Sequence, residues 1–366
     1  MPIACRISFA EEPKLLKIGV VGPETGEDAE TGLMTLAGVE LAAERFNEAG
    51  GVNGKKIEIV HYDNKSSSPL TQAAVQKLIK EHVIAIITSP TGWSTFGPVW
   101  LANASRIILM SAGSKRHIGR SGPFIFRNSL PDEIGTEESI QYAMEKLKYK
   151  NYAVITSMRD DETSLQIGGL FRGAIIKKGG KIVSETYVMM GVSIEEAIAQ
   201  LKKDAREPID AVIFAGDDDA AIEVLKELRR QGIKAPMIGG DILYTDKFLK
   251  NGGELVDGTL LYSGFFPGDK SPMVTKFVSG YNKKTGKEPE IVAANAYDSF
   301  MLVAEAIKQA RSADPSRVRE SLAKINMQGV TGKITMDANG ETIKKPYILR
   351  AVKKSGKAVF ELTEGK

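Results

Sequence analysis

Apolar positions along the chain follow two periods. Short unbroken runs, "KIGVVG" (17–22), "KIEIVHY" (56–62), "AIIT" (85–88), "RIILMS" (106–111) and "FIFR" (124–127), predict a first set of strands. A second set follows in "YAVITS" (152–157), "KIVSETYV" (181–188), "DAVIFAG" (210–216), "PMIGG" (236–240) and "TLLYSGF" (259–265). Between them the apolar residues recur at three- and four-residue spacing, as in Leu36, Val39, Ala43 and Phe46, or Ile140, Ala143, Met144 and Leu147. Ser68-Pro69 predicts the start of a helix through Val75, Leu78 and Ile79. Gly232 predicts the end of one carrying Ala221, Val224, Leu225 and Leu228. Apolar strands alternating with amphipathic helices imply parallel sheets covered on both faces. Two sets of five strands fit two doubly wound lobes better than one sheet. The join falls near "RNSLPDE" (127–133), where Pro131 breaks the pattern, and a return connection is needed near "SGFFPGDKSP" (263–272). The tail reads as antiparallel, with a hairpin turn at Asp337-Ala338-Asn339-Gly340 that lacks the alternating oxygen ligands of a calcium loop.

"NEAGGVNGKKIEIVHYD" (47–63) tests whether this α/β pattern hides a nucleotide site. A phosphate-binding glycine loop follows a strand and opens a helix. Here the order is reversed, so Gly50 and Gly51 read as a helix C-cap and Asn53-Gly54 as a tight turn into the next strand.

Length and composition narrow the function. The 366 residues exceed one ordinary core, and 42% hydrophobic with 26% charged residues describes a globular chain. The net charge of +3 arises from 49 basic and 46 acidic residues, well mixed, with no basic stripe for nucleic acid. No run of 18 apolar residues is present to span a membrane. Cys5 is the only cysteine, and His61, His82 and His117 are the only histidines. Neither a multi-cysteine metal site nor cysteine–histidine chemistry is expected, and no cofactor. Residues 1–14 stand outside the periodic fold; Ser8-Phe9-Ala10 has the small-x-small form of a signal-peptidase site, although Arg6 interrupts the apolar core. They read as a signal remnant or a disordered N-terminus.

The stretches "KIGVVGPETG", "GVELAAERFNEAGGVNGKKIEIVHYDN", "RIILMSAGS", "FIFRNSLPDE", "DAVIFAGDDDAAIEVLKELRRQGIKAPMIGGD" and "AANAYDSF" together resemble the type I periplasmic binding proteins, in the leucine/isoleucine/valine-binding branch. The resemblance runs from about residue 16 to 360. It implies an α/β fold of two doubly wound lobes with parallel-sheet cores, joined by a three-segment hinge, with a ligand cleft between them. We expect lobes at 15–130 plus 264–330 and at 131–263 plus 331–366. The family further implies a non-enzymatic, monomeric, periplasmic or extracytoplasmic receptor that binds an amino acid or similar small zwitterion and delivers it to an ABC permease. The alternative is a ligand-sensing regulatory or receptor module of the same fold.

Ligands of open α/β sheets sit beyond the carboxyl ends of the strands. "TSPTGWSTFGP" (88–98) is one such loop. The resemblance places the ligand carboxylate on the amides and hydroxyls of Gly92, Trp93, Ser94 and Thr95, while Ser94 could equally cap the helix. Trp93 either walls the ligand or packs in the core; Phe96, Trp100 and Tyr297 are expected in the core. In "SAGSKRH" (111–117) the family reads the ligand through a backbone carbonyl and a hydroxyl, which match Gly113 and Ser114, with Lys115 at the cleft or in solvent. "RDDETS" (159–164) carries Ser164-Leu165 where many relatives have Tyr-Gly. In "AGDDDAA" (215–221), Asp218 and Asp219 suit a helix start, and Asp217 could reach the cleft. Asp241, after Gly-Gly, falls where the family pairs an acid with the ligand ammonium; a turn-forming aspartate is the other reading.

Overall fold

The computed structural model describes residues 15–115, 117–158, 162–189 and 191–363, Glu162 by its backbone alone. The first ten residues with their signal-like pattern, Cys5, Asp160 and Asp161 therefore lie outside the described residues. The chain divides into two compact units. The first comprises residues through Asn128, Gly280–Met327 and Met336–Glu341; the second Ser129–Ser279, Gln328–Thr335 and the residues from Thr342 onward.

In the first unit, β1 (Leu16–Gly22), β2 (Ile57–Asp63), β3 (Ala85–Thr88), β4 (Ile108–Ser111) and β5 (Ile125–Arg127) form one parallel sheet in the order β2-β1-β3-β4-β5. Val21, Ile86, Leu109 and Ile125 pack one face against Val75 and Leu78 of helix Ser68–Lys80. Helix Ala29–Glu48 packs closely on helix Ile291–Ala310, because Gly38 lets the backbones approach: a Cβ there would stand 2.4 Å from the carbonyl oxygen of Ala293. Phe46 and Phe300 meet edge to face at 6.0 Å across the same pair.

The glycines after the first helix do what their order predicts. The Gly51 N–H donates to the Phe46 carbonyl and the Gly50 N–H to that of Asn47, with both glycines at positive φ. Asn53 and Gly54, also at positive φ, form a two-residue turn closed by reciprocal bonds between Val52 and Lys55. The second helix starts one residue earlier than its Ser68-Pro69 signal suggests, with Ser67 at the N-cap position.

In the second unit, β6 (Asn151–Ser157), β7 (Lys181–Val188), β8 (Ala211–Ala215), β9 (Met237–Gly239) and β10 (Leu260–Ser263) run parallel. Later come β11 (Asn326–Gly329), β12 (Gly332–Met336), β13 (Thr342–Ile343), β14 (Tyr347–Lys354) and β15 (Lys357–Leu362). β14 and β15 extend the second sheet antiparallel, giving β15-β14-β10-β9-β8-β6-β7, and β11-β12-β13 form a third. Ala153, Ile155, Val212 and Phe214 bury into one core while Tyr152, Val154, Ala211 and Ile213 bury into the other. That two-residue alternation, apolar on both faces, explains why these strands read as unbroken apolar runs.

Residues 264–279, expected in the first lobe, group with the second unit. Phe265 meets Phe277 edge to face at 5.7 Å, and the Asp269 carboxylate accepts the Tyr347 hydroxyl at 2.7 Å.

Candidate ligand-binding site

The loop after β3 opens helix Gly92–Phe96, which is only five residues long. Thr91 occupies the N-cap position without a side-chain bond to the first turn. Ser94 is not the cap. Its hydroxyl oxygen accepts from Asn64 Nδ2 at 2.6 Å and Thr91 Oγ1 at 2.9 Å, and lies 3.3 Å from Ser89 Oγ. Thr95 donates to the Ser89 carbonyl and lies 3.1 Å from Ser111 Oγ. Asn64 also donates to Thr71 Oγ1 at 2.8 Å. Ser94 and Thr95 are thus sealed inside the unit, and the exposed members of the predicted set are Gly92 and Trp93.

Phe96 and Trp100 depart from the core expectation, at 38% and 59% exposure, and Trp93, for which a core position was one of two readings, is 56% exposed. All three are exposed on two short helices separated by Gly97-Pro98, while Ser94, Thr95 and Ala102 of the same helices are buried. Tyr297 is half-buried, with the Arg45 guanidinium 5.8 Å from its ring centre.

The next loop, after β4, is shaped from two sides. Gly113 has φ of +114°, and a Cβ on it would stand 3.0 Å from Asn295 Nδ2, so both conformation and space favour glycine. Ser114 is buried and its carbonyl accepts from Arg127 Nη1 at 2.7 Å. Lys115 is exposed. Arg127, the polar end of an apolar strand, is 1% exposed and pairs with Glu341. Sequence reasoning passed over both, although a charge terminating the apolar run "FIFR" was the available signal. Asp63, which the sequence carried only as part of the family signature, anchors the loop after β1: its carboxylate accepts from the Glu24 N–H and the Thr25 hydroxyl. Burial pushes that carboxyl up, but hydrogen bonds from Thr25, Lys65 and Glu24 outweigh it and hold Asp63 below its usual range.

In the second unit, Asp217 caps helix Asp218–Arg230, accepting from the Ala220 N–H at 2.7 Å. Asp218 accepts from Thr245 and pairs with Lys247, which also meets Asp219. These acids are engaged at a helix start. Ser164 is buried in the first turn of helix Glu162–Lys177. Asp241 opens a short 3-10 turn directly after β9, half-buried, and is followed by Ile242, which is half exposed. Nearby, the buried Tyr262 hydroxyl donates to Asp132 Oδ1 at 2.9 Å. Burial first, then the charges of Asp132 and Asp241, raise that phenol well above its ordinary value. No group of three or more His, Cys, Asp or Glu converges as a metal site among the described residues.

Comparison with known proteins supplies the frame for these loops. The family model described as periplasmic binding protein matches residues 16–357. The chain belongs to the periplasmic binding protein family. Within it, the likeness lies in the leucine/isoleucine/valine-binding branch. An amino acid binding protein of Pseudomonas aeruginosa is 29% identical over 343 residues, 91% of this chain and 88% of that one. A solved Rhodospirillum rubrum structure matches with a TM-score of 0.86 at 25% identity, covering 95% of this chain and all (100%) of that one. The branched-chain amino acid transporter substrate-binding protein of Streptococcus pneumoniae, solved with isoleucine, matches with a TM-score of 0.70 at 27% identity over 95% and 99% of the two chains. Members of this family, this chain among them, are solute-binding proteins and not enzymes. No described helix is long and apolar enough to cross a membrane.

Proposed function

We propose that this chain binds an amino acid or similar small zwitterion and delivers it, as an exported monomer, to the permease of an ABC importer. The observation that carries the reading is the family match over residues 16–357; the amino acid and isoleucine binders among the relatives support the ligand class. In this reading the first unit holds the carboxylate, through the N–H groups around Gly92 and Trp93 and through the Gly113–Ser114 loop. Ser94 and Thr95 support those groups from within, and the exposed Trp93 ring offers an apolar wall to the side chain. The second unit holds the ammonium through Asp241, with Ser164 and Asp217 bordering the same strand ends. Ionic contacts withdrawn from water gain strength as the surrounding dielectric falls. A neutral, aliphatic to aromatic amino acid suits this arrangement better than a basic one, because the acids at 217–219 are engaged locally.

The test is a thermal-shift screen of the 20 common amino acids alongside sugars, polyamines and aromatic acids. We expect a melting temperature that climbs with the concentration of at least one neutral amino acid, as binding to the folded state requires. Stabilisation by another solute class and by no amino acid would refute the zwitterion.

A further inference from the structure

The first unit buries a charge cluster that touches no expected ligand atom. Arg127 and Glu341 are 1% and 5% exposed, and Arg127 Nε donates to Glu341 Oε2. Their backbones also pair, the Arg127 N–H donating to the Gly340 carbonyl at 2.9 Å. The rest of the guanidinium is spent on one loop. Nη1 donates to the Ser114 carbonyl at 2.7 Å and to that of Lys115 at 3.3 Å, and Nη2 donates to His117 Nδ1 at 3.1 Å. The other carboxylate oxygen, Glu341 Oε1, accepts the N–H groups of Ile118 at 2.9 Å and Gly119 at 2.7 Å. Two side chains therefore grip residues 114, 115, 117, 118 and 119.

A buried ion pair is a poor way to gain stability, since an apolar pair of equal volume often does as well. An apolar pair cannot orient two carbonyls, an imidazole and two amides. The planar guanidinium fork can, because its five donors are fixed relative to one another. On the loop's other side, Asn295 lies against Gly113. We propose that Arg127, clamped by Glu341, is a positioning residue that sets the orientation of the Gly113–Ser114 loop and hence its discrimination for a ligand carboxylate. This rests on the carboxylate reading of that loop given above.

The experiment compares wild type with Arg127→Met/Glu341→Gln. The double variant leaves no unpaired buried charge, and the amide oxygen introduced at position 341 can still accept from Ile118 and Gly119, so folding is protected. Glu341→Gln alone is the milder companion. Two measurements are made on each protein: hydrogen exchange of peptides spanning 111–119 without ligand, and Kd by calorimetry for the best amino acid of the screen and for its carboxamide. We expect exchange in 111–119 to rise by about tenfold or more, with the other core strands unmoved. We also expect the amino acid to lose about tenfold more affinity than the carboxamide. A role in stability alone would lower the melting temperature and leave the ratio intact. Unchanged exchange together with an unchanged ratio overturns the proposal. If wild type itself does not discriminate between the two ligands, the carboxylate reading fails, and unchanged exchange would then still refute the positioning.

Discussion

Around the loop after β3 in the first unit the polar groups are neutral, buried and bonded mainly to one another: Asn64, Thr71, Ser89, Ser94, Thr95 and Ser111 form one network. After β8 in the second unit they are carboxylates reached by solvent, and Asp217, Asp218 and Asp219 are engaged by a helix start and by Lys247. Neutral donors and acceptors satisfy each other at modest net gain and hold a loop in one geometry. Carboxylates at a helix start are held there by local electrostatics whether or not a ligand arrives. Acid-rich loops in the sequence are thus a poor guide to ligand charge. The informative acid is Asp241, which lies in a short 3-10 turn after β9 rather than at the start of an α-helix.

Asp241→Ala breaks this contrast most severely. Truncating one partner of a buried charge pair costs about 2–5 kcal/mol, so binding of the best amino acid should weaken by roughly 30-fold or more in calorimetry. Asp217→Ala is the matched control: loss of a cap costs about 1 kcal/mol of stability and leaves Kd nearly unchanged. If Asp241→Ala binds within about threefold of wild type, under 1 kcal/mol, that residue leaves the site and takes the zwitterion with it.

Ser94→Ala sharpens the other side. The hydroxyl is an interior acceptor for Asn64, and losing it should cost about 1–3 kcal/mol of stability in chemical denaturation. Kd should change much less than stability does. The reverse pattern, an unchanged denaturation midpoint with collapsed affinity, would make Ser94 a direct ligand contact and reopen the interior of this loop.

Periodicity made the ten parallel strands legible, because burial on both faces leaves a continuous apolar run such as Ala211–Ala215. The turn at Asn53-Gly54 and the glycine cap were legible because left-handed backbone admits few residue types. The side chains of the site were not. Trp93, Phe96 and Trp100 carry the composition of a core, and only the break at Gly97-Pro98 and the burial of Ser94 and Thr95 turn them outward. Arg127 and Glu341 are 214 positions apart, and local pattern carries no information about a pairing at that separation. The boundary near 264 slipped for a similar reason: Phe265, Phe277 and Tyr347 find their partners through packing that sequence spacing does not encode.

Asp63 provides the smallest effect and the most specific signature. Its carboxylate ties the Glu24 and Thr25 amides and the Thr25 hydroxyl to the end of β2, and its folded-state pKa lies below the ordinary value of 3.8. A depressed carboxyl binds its proton less readily when folded than when unfolded. The stability it contributes is therefore fully present above about pH 4 and is lost as pH falls through the folded-state value. Solvent screening at this partly exposed site limits the gain to under about 1 kcal/mol. In Asp63→Asn, urea denaturation near neutral pH should show a small, constant loss of stability relative to wild type. Below about pH 4 the two curves should converge, because protonation removes from wild type what the substitution has already removed. Parallel curves down to about pH 2.5 would mean that the loop after β1 draws nothing from the Asp63 charge, and that its hold on residues 24 and 25 is one of shape alone.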